Sequence, residues 1–237
     1  MTKSATMTNV SLCRCFYSID LSQMRLDLHT HSIKSDDGRA KVENYCKWIQ
    51  KKQLPLDGFV LTEHRQFDAD SDYRELEDEY GLAIMKASEV ETDYGHVLVF
   101  GVNEDLLAAI DFTDVRLPIE AVLDESRKTG AFAAPCHPGR KRVGLFAHYE
   151  DRGVVDGIDT VEVLNGGSIP GEDELSLNMA EKLGYRGFGG SDSHVVSRIG
   201  FCATDFPNQQ ILDMETLVDA LYGGNFSPIS MRPDVGN

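Results

Sequence analysis

Short β-rich runs alternate with helical patterns along nearly the whole sequence, and few fold classes are compatible with such an order. The predicted strands span residues 25–28, 58–61, 82–87, 96–102, 131–134, 160–164, 187–189 and 199–204. The predicted helices span residues 42–53, 70–79, 118–128, 145–151, 172–183 and 213–222. Alternation of this kind needs crossover connections, so it predicts a largely parallel sheet. The roughly 210 residues that follow the N-terminal segment are enough to close these units into a barrel.

The chain contains no linker rich in proline, glycine or serine, so we expect residues 25–237 to form a single domain. Residues 1–24 lack a periodic apolar pattern, and we expect a poorly ordered extension there. This segment also lacks the continuous apolar run of a signal peptide. Met24 precedes the first predicted strand and is an alternative start of translation.

Charge and cysteine content limit the compartment and the partners. The five cysteines show no disulfide framework, which favours a reducing compartment and predicts a cytoplasmic protein. No apolar run reaches the ~18 residues needed to cross a bilayer, so we expect no membrane partner. The net charge of −16 gives no basic track for a long polyanion, so we expect no long nucleic acid as a partner. Small phosphorylated molecules stay open as substrates, because bound cations reverse the local field.

Polar side chains concentrate directly after the predicted strands, where parallel barrels carry their functional residues. Five of the seven histidines lie at such strand ends, and His96 opens a strand shortly after Glu89. The strand-end positions are His29, His31, Glu63, His64, Glu89, Cys136, His137, Asn165, Asp192 and His194. This concentration predicts a site at one end of the barrel.

Two of these strand ends carry pairs of metal-ligand residue types. Residues i and i+2 of a strand project to the same side, so His29 and His31 should point together, as should Asp192 and His194. Converging imidazoles suit Zn, Mn or Fe better than Ca or Mg. Each pair taken alone is also compatible with exposed histidines or with a glycine-rich turn. Two such pairs at opposite ends of the chain favour the metal site.

Three single residues extend this hypothesis. His64, Glu89 and His137 each follow an apolar run. Taken alone, such a histidine as His64 is more often a hydrogen-bonded structural residue, such a glutamate as Glu89 a solvated edge carboxylate, and such a histidine as His137 a turn residue. Pro138 should hold His137 in an extended conformation, because the proline ring conflicts with the helical alternative.

Taken in order, these motifs resemble the PHP (polymerase and histidinol phosphatase) family, over roughly residues 25–204. The motifs are His29-Thr30-His31-Ser32, Ser35-Asp36-Asp37-Gly38, Thr62-Glu63-His64, Glu89, His96, Cys136-His137-Pro138 and Gly190-Ser191-Asp192-Ser193-His194. The resemblance implies a distorted (β/α)7 barrel with two or three divalent metal ions (Zn, Mn or Fe) at its mouth. It implies a first metal held by His29, His31 and Asp192. It implies a second metal held by His96, His137 and a bridging Glu89.

The third metal of the family would be held by His64, His194 and one aspartate. The family usually has Ser-Asp-Gly at this point, whereas this chain has an additional aspartate. The pairing with Ser35 favours Asp36, and the proximity to glycine favours Asp37. We predict Asp36.

The resemblance also implies hydrolysis of phosphoesters by a hydroxide that bridges two metals, since coordination lowers the pKa of water to about 7. Glu89, Asp192 and Arg140 would then be catalytic. Arg140 also has the planar guanidinium that suits a phosphate, and Arg198 and Asn165 are further substrate-binding predictions.

We expect a phosphomonoesterase of a small metabolite or nucleotide rather than a nuclease, because of the acidic composition. Two alternatives stay open. One is a non-catalytic metal-binding or regulatory barrel. The other is an amidohydrolase-type metallohydrolase, which can also begin with His-x-His but usually relies on a bridging lysine. The sequence gives no indication of the oligomeric state.

Overall fold

The computed structural model describes residues 23–233. The strands are β1 (Gln23–Thr30), β2 (Gly58–His64), β3 (Ala83–Thr92), β4 (Gly95–Phe100), β5 (Phe132–Pro135), β6 (Thr160–Asn165), β7 (Arg186–Gly190), β8 (Cys202–Pro207) and β9 (Ser227–Ser230). The helices are α1 (Val42–Lys52), α2 (Arg74–Tyr80), α3 (Glu104–Ala109), α4 (Ile119–Lys128), α5 (Tyr149–Arg152), α6 (Glu172–Leu183) and α7 (Met214–Gly223). The predicted N-terminal extension lies outside the described residues, except that Gln23 and Met24 already belong to β1.

Seven strands form one sheet in the order β5-β4-β3-β2-β1-β8-β9, and β6 and β7 form a parallel pair. Within the large sheet only the β1–β2 and β2–β3 pairings are parallel. The prediction of a largely parallel sheet is therefore wrong for β4, β5, β8 and β9, which pair antiparallel. For β4, the antiparallel pairing follows from the length of its connection to β3. This strand follows β3 after only two residues, and such a connection can only reverse the chain.

The β6–β7 pair joins the large sheet at the end of β1. The backbone N–H of His31 donates to Ser193 O at 2.9 Å, and that of Asp192 donates to His29 O at 2.7 Å. These bonds curl the sheet, and the result confirms the predicted distorted barrel of mixed α/β type. They also bring the His-x-His and Asp-x-His motifs, which are far apart in the sequence, together at one mouth of the barrel.

Most predicted elements are present, with shifted ends. The short elements α3 and β9 are not predicted from the sequence, and residues 145–151 are predicted to form one helix. In the structure a 3₁₀ turn, Leu145–Ala147, precedes the four-residue helix α5. No helix within residues 23–233 has both the length and the apolar character to cross a bilayer.

The interior of the barrel positions the site. Leu28, Val60, Met85 and Leu98 belong to one buried apolar cluster drawn from neighbouring strands. Met85 and Ala87 of β3 are both members of it, and Glu89 projects from the same face because side chains alternate along a strand. The carboxylate of Glu89 is thereby placed where this apolar cluster meets the mouth of the barrel.

Asp27 ties β1 to the segment that follows β7. Its Oδ1 accepts a hydrogen bond from the backbone N–H of Ser191, and its Oδ2 accepts one from Gly200, each at 2.8 Å. The side chain is fully buried. Burial raises the pKa of Asp27 to about 6, although these hydrogen bonds oppose the shift. Above neutral pH the group is therefore a carboxylate that accepts from both ends of the connection between β7 and β8.

Asp27→Asn should lower the free energy of unfolding by about 1–3 kcal/mol, because an amide presents a donor to one of these backbone N–H groups. Urea unfolding above neutral pH measures the effect. The control is Asp105→Asn on the exposed first turn of α3, which should leave stability nearly unchanged. Equal midpoints for wild type and Asp27→Asn would contradict this role.

Candidate metal centre

The mouth of the barrel collects side chains from four strand ends and the loops after them. Donor atoms of His29, His31, Glu89 and Asp192 form one compact group, and those of His31, His64 and His194 form another. Most of these side chains are buried. The residues predicted from opposite ends of the sequence therefore do lie together.

The first group has the spacing of donors that share one cation. Nε2 of His29 and Nε2 of His31 are 3.1 Å apart, and Glu89 Oε2 lies 3.0 Å from the first and 3.1 Å from the second. Asp192 Oδ1 lies 3.5 and 3.4 Å from the same two nitrogens. Donors that bind one zinc-like ion at ~2.0–2.2 Å are themselves about 3–3.5 Å apart. The residues present fit a divalent metal ion.

Glu89 divides its two oxygens between two sets of donors. Oε2 faces His29, His31 and Nδ1 of His64, the last at 3.3 Å. Oε1 faces Nδ1 of His96 at 2.7 Å and Nε2 of His137 at 3.1 Å. This placement is the one that a bridging carboxylate requires.

The aspartate next to His64 and His194 is Asp37. Its Oδ2 lies 3.1 Å from Nε2 of His194, and its Oδ1 lies 3.6 Å from Nε2 of His64. Asp36 instead pairs with Arg65 at 2.6 Å and is exposed. The two aspartates sit in a tight turn, where consecutive side chains point in different directions. These distances favour Asp37 over the predicted Asp36 as the acidic neighbour of His64 and His194.

The acidic and basic side chains of the centre shift one another's pKa values. Burial alone raises the pKa of Glu89, but the positive charge of His29, His64 and His96 outweighs burial and holds it well below its usual range. Burial lowers the pKa of His31, whereas hydrogen bonds with Asp192 and Glu89 raise it to about 9 overall. The carboxylates thus favour positive charge at this point of the fold.

Glu162 is a functional residue that the sequence analysis missed. It is fully buried in β6, and its Oε1 lies 3.1 Å from Nδ1 of His29. Its Oε2 accepts hydrogen bonds from the backbone N–H of His137 and from Nδ2 of Asn165, each at 2.8 Å. A carboxylate that holds the second nitrogen of a ligand histidine fixes the orientation of the ring. The available signal was a charged residue inside the apolar run Val161–Val163.

A second carboxylate supports His31 through a hydroxyl group. Nδ1 of His31 lies 3.2 Å from Oγ of Ser35, and that hydroxyl donates to Glu63 Oε2 at 2.6 Å. Both histidines of the first group therefore have their outer nitrogens held by buried polar groups.

Two residues of the centre have left-handed backbone conformations. His137 has φ of +33° and Asp192 has φ of +51°. The extended conformation that we predicted for His137 is therefore wrong. The bond from its N–H to Glu162 and the turn closed by Arg140 N–H donating to His137 O hold this conformation. Such strained residues persist where the surrounding contacts fix them, and they cluster at functional sites.

The predicted substrate residues fall into three positions. Arg140 donates to Asp192 Oδ2 at 2.8 Å and to Asn165 Oδ1 at 3.0 Å, and its side chain is one-quarter exposed. Asn165 is fully buried between Arg140 and Glu162, so its amide holds other site residues and does not face the opening. Arg198 is exposed beside Gly166, with its guanidinium over the ring of Phe201.

Comparisons with known proteins agree with this architecture. A family profile described as PHP-associated matches residues 171–226. An uncharacterized protein of Methanocaldococcus jannaschii is 24% identical over 125 residues, and the match covers 48% of this chain and 68% of the relative.

Among solved structures, a candidate metal-dependent phosphoesterase from Bifidobacterium adolescentis has a TM-score of 0.55 and 18% identity, over 84% of this chain and 96% of its own. The lesion-specific endonuclease PfuEndoQ from Pyrococcus furiosus has a TM-score of 0.64 and 16% identity. That match covers 90% of this chain but 60% of the endonuclease. At these identities the likeness is one of fold.

The expectation that a long nucleic acid is excluded is contradicted. Endonuclease Q has also been solved in complex with a 27-mer duplex that carries an abasic lesion at its active site. That structure has a TM-score of 0.62 and 15% identity, over 91% of this chain and 61% of its own. The net charge was a poor guide because it sums the whole chain, whereas a ligand meets the field at the mouth. Arg65, Arg140 and Arg198 all follow strand ends at this mouth.

The ordered ligand motifs, the distorted barrel and the PHP-associated segment agree with one another. They agree with the resemblance of this chain to the PHP family, and the profile match itself covers residues 171–226.

Proposed function

We propose that this chain is a phosphoesterase whose active site is centred on Glu89. The observation that carries the proposal is the partition of the two Glu89 oxygens between two sets of buried imidazoles, with the Arg140 guanidinium alongside. The free thiols of Cys46, Cys136 and Cys202 fit the reducing cytoplasm in which we place the protein.

Two or three divalent ions (Zn, Mn or Fe) would be held by three sets of residues, of which the first two share Glu89. The first set is His29, His31, Glu89 and Asp192; the second is Glu89, His96 and His137; the third is His64, His194 and Asp37. When bound, such ions lower the pKa of coordinated water towards neutrality and neutralise charge on phosphate oxygens.

The protein supplies position and charge around these ions. Glu162 and Ser35 fix the rings of His29 and His31, so the donors need little reorganisation. Asn165 and Asp192 hold Arg140 with its guanidinium beside the first donor set. That guanidinium would orient the phosphate by hydrogen bonds and stabilise the charge that develops on its oxygens.

The depth of the centre favours a phosphate monoester of a small metabolite or a nucleotide. His29, His31, Glu89 and His137 are all buried, whereas His64 and His194 are 14% and 27% exposed. The centre is thus reached past the partly exposed rings of His64, His194 and His96, the last of which is 18% exposed. A terminal phosphate group reaches a recessed centre more easily than an internal phosphate of a duplex does.

A second candidate is cleavage of a phosphodiester in nucleic acid. It is supported by the arginines around the mouth and by the shared fold of endonuclease Q. Two assays on one metal-loaded preparation separate the candidates: phosphate release from nucleotides and sugar phosphates, and cutting of an end-labelled duplex with an abasic site. Turnover of amides or lactones alone would favour the amidohydrolase alternative. Metal-loaded protein that turns over none of these would favour a non-catalytic barrel.

Replacing His29 and His31 together by alanine should remove bound metal and phosphoester hydrolysis, because both residues belong to the first donor set. Elemental analysis and phosphate release measure the two effects, and circular dichroism should show that the secondary structure is retained. The matched control is His148→Ala, since His148 bonds the carbonyl of Arg142 away from the centre. Full metal content in the double variant would contradict the ligand assignment.

Asp37→Asn and Asp36→Asn form a matched pair of neighbouring substitutions. Asp37→Asn should lose about one metal ion per chain, because its carboxylate faces His64 and His194. Asp36→Asn should keep the full metal content, because Asp36 pairs with Arg65. Titration with metal followed by elemental analysis decides between them, and the reverse pattern would restore the original assignment.

Arg140→Lys should raise KM for the phosphoester by about tenfold or more, because lysine cannot reproduce a two-pronged contact with phosphate. Steady-state kinetics at saturating metal measure this effect. Arg152→Lys is the control, since Arg152 bonds Asp93 away from the centre. An unchanged KM for Arg140→Lys would remove Arg140 from the substrate site.

A further inference from the structure

Cys136 lies inside the centre although no motif assigned it a role. Its Sγ is 3.3 Å from Glu89 Oε1 and 3.3 Å from Nε2 of His137. These atoms and a ring nitrogen of His29 form a compact group of four donors, all from buried residues. Cys136 is therefore one of several donors that converge on a single point.

The backbone holds this thiol in place. The N–H of Cys136 donates to His96 O at 3.1 Å, which continues the pairing of β5 with β4. The next residue, His137, is fixed by its own bond to Glu162. Sulfur and imidazole thus approach Glu89 Oε1 from consecutive positions of one constrained segment.

The other two cysteines of the described range have different surroundings. Cys46 lies in α1 within an apolar cluster that includes Tyr45 and Phe59. Cys202 lies in β8. Neither belongs to a group of convergent donors within residues 23–233, so both serve as matched controls.

We propose that the thiolate of Cys136 is a ligand of the second metal ion, together with Glu89 and His137. This inference rests on the metal centre proposed above. On binding, the sulfur–metal bond forms as the S–H proton is released to solvent, because the thiolate is the form that binds metals. A thiolate favours Zn or Fe over Mn, whereas a site made only of imidazole and carboxylate discriminates less.

X-ray absorption of the zinc-loaded protein tests the proposal without relying on activity. The parent is the full chain with Cys13→Ser and Cys15→Ser, which removes the two thiols outside the described residues. We expect sulfur scattering at about 2.3 Å from zinc. Its amplitude should correspond to one sulfur atom per chain, averaged over all the zinc ions bound. The signal should disappear in Cys136→Ser and persist in Cys46→Ser and Cys202→Ser.

A cobalt-loaded sample gives an independent readout. A thiolate ligand adds a sulfur-to-cobalt charge-transfer absorption in the near ultraviolet, and this absorption should be lost with Cys136→Ser. If Cys136→Ser does not fold, persistence of the signal in both control variants assigns the sulfur to Cys136 by elimination.

The outcomes separate this inference from the proposed function. Bound zinc without sulfur scattering would overturn the role of Cys136 and leave the phosphoesterase proposal intact. A signal that survives in Cys136→Ser would overturn it equally. A parent that binds no zinc, cobalt, manganese or iron would overturn both.

Discussion

The burial of one carboxylate governs the rest of this structure. Glu89 is fully buried at the upper end of an apolar core, and an ionised carboxylate in such a place costs several kcal/mol unless it is compensated. Imidazoles from five histidines lie within 3.3 Å of its oxygens and supply that compensation, namely His29, His31, His64, His96 and His137. Divalent ions between the same groups would compensate the charge more strongly. The arrangement therefore fits a metal centre better than a purely structural cluster.

Several buried polar residues of the fold hold this arrangement in place. Asp27 and Glu162 are buried carboxylates that join separate strands. Asp27 accepts from the N–H of Ser191, next to Asp192, and Glu162 accepts from the N–H of His137. Gly190 is required for a steric reason, since a Cβ there would lie 2.5 Å from Cβ of His29. The β1–β2 register also shifts between Asp27 and Thr30, and such irregularities re-aim side chains near functional sites. The donors are thus positioned by the scaffold itself.

Much of the architecture could be predicted from the sequence because strand ends carry local signals. His29 with His31 and Asp192 with His194 stood out through spacing alone, and the structure brings them together. The antiparallel direction of pairing could not be predicted equally well, because the apolar sequence of β4 does not show in which direction it pairs with its neighbours. Asp36 and Asp37 are adjacent, and only the direction of each side chain in the turn distinguishes them. Glu162 lies in no motif, and the motif that contains Cys136 assigns the cysteine no role, because the contacts of both residues arise between distant strands.

The central claim is that a cation binds in each of the two donor sets that face the two oxygens of Glu89. Anomalous diffraction from crystals of the zinc- or manganese-loaded protein tests this claim most directly. Anomalous peaks should appear on both sides of the Glu89 carboxylate, at about 2.0–2.3 Å from the imidazole nitrogens of His29, His31 and His137. Peaks elsewhere on the chain, or bound metal with no peak within bonding distance of Glu89, would contradict it.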